Sequence, residues 1–228
     1  VIFVKKYSAF DILGPIMIGP SSSHTAGAAR LGKIAAIIAG GSIKAVEILL
    51  HGSFGKTYKG HGTDRALAAG ILGMDPWDER LSNALEIAKG KGIDISFKEI
   101  DLEDAHPNTV KFKITDQSDF VTEVVGSSIG GGSIIITQVD GEDIEFTGEY
   151  PTLIIKHRDV PGVVSKVTTL MYSENINIAF MKVFRGSKGQ GATMIFETDN
   201  IISQELTKKI ASLGYISSIK VINPLNVG

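Results

Sequence analysis

Leu153-Ile154-Ile155-Lys156-His157-Arg158-Asp159-Val160-Pro161-Gly162 is the stretch on which the fold turns. An apolar strand runs into a polar loop, and Pro161-Gly162 leads into a helix expected over 162–174. Glu174-Asn175-Ile176-Asn177-Ile178 turns into a second strand. Gly189-Gln190-Gly191 separates that strand from a third, and Gly214 ends a last helix before a strand expected to stop near Val221. The order from Thr152 is strand, helix, strand, strand, helix, strand over about 75 residues, a split βαββαβ unit.

Upstream the pattern is different, and the break falls near Tyr150-Pro151. Two domains are expected, 1–150 and 151–228, and the class is α+β. Leu31, Ile34, Ala35 and Ile38 share one helical face, so residues 25–39 read as a helix ended by Gly40-Gly41. Ala45–Leu50 reads as a strand, the segment after it as a polar glycine-rich loop, and 64–72 as a second helix. Asp75-Pro76-Trp77 opens a third helix, with Pro76 in its first turn. Ile93–Ile100 alternates as a strand, followed by strands at 109–115, 119–125, 133–139 and 142–147. Asp140-Gly141 marks a hairpin between the last two. Gly126-Ser127-Ser128-Ile129-Gly130-Gly131-Gly132 reads as a loop interrupting the series.

Composition sets limits. None of the 228 residues is cysteine, so this chain alone has no disulfide, no thiolate nucleophile and no thiolate ligand for zinc or an iron–sulfur cluster. Its 23 basic and 25 acidic residues leave a net charge of −2, which gives no footprint for nucleic acid or an acidic membrane surface. No apolar run approaches the roughly 20 residues of a membrane helix. No charged-then-apolar leader opens the sequence, so a cytoplasmic location is expected. Glycine is in excess, at 26 residues.

Four polar clusters carry the chemistry. In Gly19-Pro20-Ser21-Ser22-Ser23-His24-Thr25, hydroxyls stand where a helix N-terminus offers free N–H groups and the positive end of its dipole, a setting that suits a carboxylate. His24 adds a proton-transfer group. An ordinary N-cap with a surface histidine is the simpler reading, and the run exceeds what a cap needs. Gly60-His61-Gly62-Thr63-Asp64 repeats the design; alternatively, Asp64 only caps its helix and His61 faces water. His106-Pro107-Asn108-Thr109 is either a third polar cluster or a plain turn. Ser127 to Ser133, a glycine-rich loop that includes Gly131, could cradle an anion or merely connect strands. Gly55-Lys56-Thr57 is not the end of a phosphate-binding loop, because Leu50 stands where that pattern needs glycine. The histidines lack metal-ligand spacing, so no metal site is expected.

Two resemblances follow from these residues. Residues 152–225 resemble an ACT domain, the small ferredoxin-like ligand-sensing module of amino-acid enzymes. That resemblance implies edge-to-edge self-association and effector contacts at Asp159, Gly162, Asn175 and Asn177. Serine-sensing members often have a His-x-Asn-x-Pro-Gly loop; Asp159 stands here where they have Asn. The loop could also do no more than start its helix, leaving a domain that only dimerises.

The four N-terminal clusters, in their order, resemble the β chain of iron–sulfur-dependent L-serine dehydratase. The N-terminal unit is also similar to the allosteric substrate-binding domain of some phosphoglycerate dehydrogenases. The dehydratase resemblance implies conversion of L-serine to pyruvate and ammonia. It implies a partner α chain whose cysteines hold a 4Fe-4S cluster, with the open iron acting as Lewis acid and no cofactor bound by this chain alone. On that resemblance His24, His61 and His106 are the catalytic candidates, with His24 and His61 leading for proton transfer. Ser21, Ser22, Ser23, Thr25, Thr63, Asp64, Asn108 and Gly131 are the substrate-binding candidates. A regulatory amino-acid-binding module and a mere scaffold are the competing readings.

Overall fold

The computed structural model describes residues 16–185 and 191–223. The chain divides into two compact units, 1–145 and 146–228. Gly189 and Gln190, read above as part of a turn, lie outside the described residues.

The first unit begins with one continuous helical stretch. A π-helical turn, Ser22–Gly27, leads into α1 (Ala28–Ala39). Then come β1 (Ile43–His51), α2 (Gly52–His61), α3 (Thr63–Ile71), a 3₁₀ turn (Glu79–Asn83), α4 (Ala84–Gly90) and β2 (Asp94–Ile100). Strands β3 (Thr109–Asp116), β4 (Val121–Gly130), β5 (Ser133–Val139) and β6 (Glu142–Phe146) follow. The sheet is six-stranded, in the order β2-β1-β3-β4-β5-β6, with β1 and β2 parallel and β1-β3-β4-β5 antiparallel.

Its strands alternate as a one-sided sheet should. Val46, Ile48, Leu50, Val110, Phe112, Ile114 and Val124 are buried, with α1 packed on β3 and β4 and α2 on β1 and β2. The intervening residues form an ion ladder across four strands: Lys98 with Glu47, Glu47 with Lys113, Lys113 with Glu123, and Glu123 with Lys111. Part of the glycine excess has a packing reason. Where α1 crosses α3, a Cβ on Gly32 would lie 2.3 Å from the Leu67 carbonyl oxygen, and one on Gly70 would lie 2.1 Å from that of Ala29. Only glycine permits this approach.

Three expectations for this unit are corrected. The supposed loop after β1 is helix α2, despite Gly52, Gly55 and Gly60. Its helical state comes from tertiary contacts: Phe54 and Gly55 are buried, and the Pro107 carbonyl accepts from the N–H groups of Ser53 (2.7 Å) and Phe54 (3.4 Å) at the helix start. The supposed loop at 126–132 is mostly strand. β4 runs to Gly130, paired with β3 and β5, and the turn is confined to Gly131-Gly132. Pro76 opens no helix. The 3₁₀ turn starts at Glu79, where Asp78 is the N-cap and accepts from the Arg80 N–H at 3.0 Å. The Asp140-Gly141 hairpin is present, both residues having positive φ (52° and 79°), as a type I′ turn requires.

The second unit contains β7 (Thr152–Arg158), α5 (Val163–Ser173), β8 (Ile178–Arg185), β9 (Gly191–Thr198), α6 (Gln204–Ala211) and β10 (Ile216–Ile222). The antiparallel sheet order β10-β7-β9-β8 is that of the ferredoxin-like split unit. Leu153, Ile155, Met194 and Phe196 from the sheet pack with Val163, Val167 and Met171 of α5 and Leu206 and Ile210 of α6. The whole is α+β, as expected.

Candidate functional site

Ser21 is the N-cap of the π-turn, and its hydroxyl accepts from the His24 N–H at 3.2 Å. π-turns widen a helix by one residue and recur at functional sites. Here the extra width coincides with a close approach. A Cβ on Gly27 would fall 2.1 Å from Ser128 Oγ, so β4 presses a hydroxyl into the turn that only glycine admits. Ser22 and Ser23 are half-buried within the same turn, and Thr25 is buried. Gly19 folds back on Thr25: a Cβ there would meet Thr25 Oγ1 at 2.5 Å.

His24 stands at the junction of three helix ends. Its Nδ1 lies 3.5 Å from Ser21 Oγ, and its Nε2 lies 3.2 Å from Ser53 Oγ in the first turn of α2. The Phe54 ring meets it edge-on with centroids 5.2 Å apart. His61, at the other end of α2, brings its ring to 5.1 Å. Burial first, and the charge of His61 second, hold the His24 imidazole below its ordinary range. The ring is therefore neutral at neutral pH, with one bare nitrogen that can accept a proton.

Gly62, with φ of 70°, ends α2 and starts α3 in a single residue. It thereby sets exposed His61 beside fully buried Thr63. Asp64 follows in the first turn of α3. It lines a groove of about 660 Å³ with Tyr58, Lys59, Lys89 and Phe97, and its Oδ1 accepts from the Arg65 N–H at 2.9 Å. His106 is exposed and sits in the loop that caps α2; its Nδ1 accepts from the Asn108 N–H at 3.1 Å. The same loop is tied to β4, because the Asn108 carbonyl accepts from the Ser128 N–H at 3.0 Å. Gly131 is exposed at the tip of the β4–β5 hairpin, and Arg30 of α1 donates to the neighbouring Gly132 carbonyl at 3.0 Å.

Among the described residues, four buried side-chain oxygens of this unit have no hydrogen-bond partner: Thr25 Oγ1, Thr63 Oγ1, Asn108 Oδ1 and Ser128 Oγ. A buried, unpaired polar group is costly and calls for an explanation. All four belong to the polar clusters of the sequence, Ser128 lying in the fourth, 127–133. Sequence reasoning missed Ser53 and Phe54 as site residues and did not single out Ser128 within its cluster. Ser128 had a signal: Thr122, Val124, Gly126 and Ser128 keep the two-residue period of a strand's buried face. Ser53 had only a weak one, the strand-then-Gly-Ser junction at His51-Gly52-Ser53.

In the second unit Asp159 and Gly162 lie before α5, whereas Asn175 and Asn177 lie after it. Eleven helical residues separate the two pairs, about 16 Å at 1.5 Å per residue. Asp159 is paired with Arg185 through Nη2 (2.9 Å) and Nε (2.8 Å). Asn177 Nδ2 donates to Asp199 at 2.6 Å.

Among the described residues no group of His, Cys, Asp and Glu could hold a metal ion. With no cysteine in the chain either, its donor set does not fit an iron–sulfur cluster. No helix among the described residues is long and apolar enough to cross a membrane.

Comparison with known proteins supplies the family. Residues 8–89 match the family described as serine dehydratase beta chain, and residues 151–215 match the ACT domain. The chain is 42% identical over 219 residues to the probable L-serine dehydratase beta chain of Bacillus subtilis, covering 96% of this chain and 99% of that one. It is 40% identical over 220 residues to the L-serine dehydratase beta chain of Peptoniphilus asaccharolyticus, again covering 96% and 99%. The D-3-phosphoglycerate dehydrogenase of Methanocaldococcus jannaschii is 31% identical over 202 residues, but the match takes in only 37% of that enzyme. A match over 96% of this chain to the first two, set against a partial match to the dehydrogenase, favours the first of the competing readings: the chain belongs to the family of L-serine dehydratase beta chains, with an ACT domain at its C-terminal end.

Proposed function

We propose that this chain works with an α chain as an L-serine dehydratase, converting L-serine to pyruvate and ammonia. We further propose that the His24–His61 junction is its share of the active site. The observation that carries the reading is the set of buried, partnerless oxygens on Thr25, Thr63, Asn108 and Ser128, in the unit that also holds the two histidines. A polar ligand with an ammonium group and a hydroxyl would supply the missing donors.

Loss of the α-proton and the β-hydroxyl as water gives an aminoacrylate, which tautomerises and hydrolyses to pyruvate and ammonia. The α-proton is weakly acidic, so a positioned base is needed. In this reading His24 or His61 takes it. Hydroxyls and free N–H groups at the π-turn, from Ser21, Ser22, Ser23 and Thr25, hold the substrate carboxylate or amine. Thr63 and Asn108 orient the substrate, while Asp64 acts from the first turn of α3 and His106 from the loop before β3. Any 4Fe-4S cluster is carried by cysteines of the α chain.

The ACT half is proposed to join copies through β8. Support comes from its place at the sheet edge and from Phe180, Met181 and Val183, which are 38–42% exposed there. An effector reaching the first loop would compete with Arg185 for Asp159.

Reconstitution tests the function. The purified chain alone is expected to be colourless, iron-free and inactive. Mixed with purified α chain, iron and sulfide, it should form pyruvate from L-serine. L-serine binding to this chain alone, with no turnover in the reconstituted pair, would show a regulatory module instead.

A further inference from the structure

Ser53 joins three segments that are far apart in the sequence. Gly52 precedes it with φ of +59°, and a Cβ there would lie 2.6 Å from the Pro107 carbonyl oxygen. That close approach lets the same carbonyl accept from the Ser53 N–H at 2.7 Å. The backbone of Ser53 is thus fixed by the 106–108 loop, and its hydroxyl faces His24 Nε2 at 3.2 Å.

We infer that Ser53 is a positioning residue for the reaction, holding the His24 ring in place against His61 by engaging Nε2 while Ser21 stands at Nδ1. The inference rests on the proposed role of the histidine pair. Its physical basis is the donor and acceptor inventory. A neutral imidazole has one N–H and one bare nitrogen, and a serine hydroxyl can serve either. Ser21 Oγ already accepts from the His24 backbone N–H, so its own hydrogen is free to point at Nδ1. Nε2–H then donates to Ser53 Oγ. A ring held at both nitrogens keeps one orientation and one tautomer, and Nδ1, whose contact with Ser21 is the long one, is the nitrogen that would exchange that contact for a substrate proton. A ring held at one, and that one at the long distance of 3.5 Å, does not. The edge of Phe54, the next residue, closes the remaining direction.

Two variants and two readouts test this. In the reconstituted two-chain enzyme, Ser53→Ala is expected to lower kcat about tenfold, the worth of roughly one well-made hydrogen bond, with KM for L-serine changed by less than about twofold. Ser53→Thr, which keeps a hydroxyl, should recover most of kcat. Nitrogen-15 NMR of the full chain without its partner reads the ring directly. The His24 Nε2 signal should move in the Ala variant and stay near its wild-type position in the Thr variant. Wild-type kcat in Ser53→Ala, a loss confined to KM, equal losses in Ala and Thr, or an unmoved Nε2 signal would each overturn the assignment. The NMR arm needs no turnover, so an inactive reconstituted pair would count against the proposed function and leave this inference to be decided by the spectra.

Discussion

In the N-terminal unit several polar side chains, at the helix starts and on the loop and strand beside them, bury an oxygen that has nothing to bond to. In the C-terminal unit those flanking α5 have found partners within the chain. Thr25, Thr63, Asn108 and Ser128 are of the first kind; Asp159 with Arg185 and Asn177 with Asp199 are of the second. Among the described residues of the ACT half His157 is the exception, its buried Nε2 having no partner. The difference teaches where ligand binding would be rewarded. A group that binds the N-terminal site relieves polar atoms already removed from water. A group that binds the ACT loop has first to break an ion pair.

The strongest attempt to break this comparison removes the histidines proposed as bases. His24→Ala and His61→Ala in the reconstituted enzyme are expected to lower kcat by at least about a hundredfold, the usual scale of general-base catalysis. His106→Ala, in an exposed loop, should cost less. Near-normal turnover in all three variants would refute the site.

Next in size is a paired stability measurement. Thr63→Val deletes an oxygen with no partner while keeping shape, so the free chain should be unchanged or stabilised by up to about 1 kcal/mol. In the enzyme the same change should raise KM for L-serine. Asp159→Ala breaks a pair whose arginine side chain is 56% exposed, and should cost under about 1 kcal/mol. Thermal unfolding of both variants checks the contrast; a fall of several degrees for Thr63→Val would mean its hydroxyl is already satisfied.

The smallest effect is a titration. Because His24 titrates below its unfolded value, the unfolded chain binds more protons in that window, and stability falls as pH drops from about 6.5 through the folded value. His61→Ala removes one of the two causes, so the His24 pKa should rise toward its ordinary value and the acid-side loss of stability should become shallower. NMR titration of both chains reads the shift; an unmoved or lowered pKa would contradict the pairing of the two rings.

Much of the fold was legible because its signals are local. The βαββαβ order follows from strand alternation and turn residues, and the Ser21–Thr25 run marks a helix start by its hydroxyls. The glycines misled. Gly52-Ser53-Phe54-Gly55 has poor helix propensity, yet buried Phe54 and the capping Pro107 carbonyl make it helical. Gly126-Ser127-Ser128 reads as a loop, yet Val110 and Ile136 flank Gly126 as strand partners. There a Cβ would meet Leu31 Cδ2 and Ile136 Cδ1, each at 2.8 Å, so the glycine serves packing.

The sequence by itself determined the residue types available for chemistry: hydroxyls, two leading histidines and no thiol. It also determined two of the helix starts near them, at Ser21–Thr25 and at Thr63-Asp64, since capping depends on residues within one turn of each other. Only the tertiary structure decided which of them meet. His24 finds Ser53 across 29 residues and His61 across a helix, because parallel pairing of β1 with β2 folds the intervening helices back over the sheet and the 106–108 loop caps α2. Such contacts arise from burial of faces that are remote in the chain, and no local spacing encodes them.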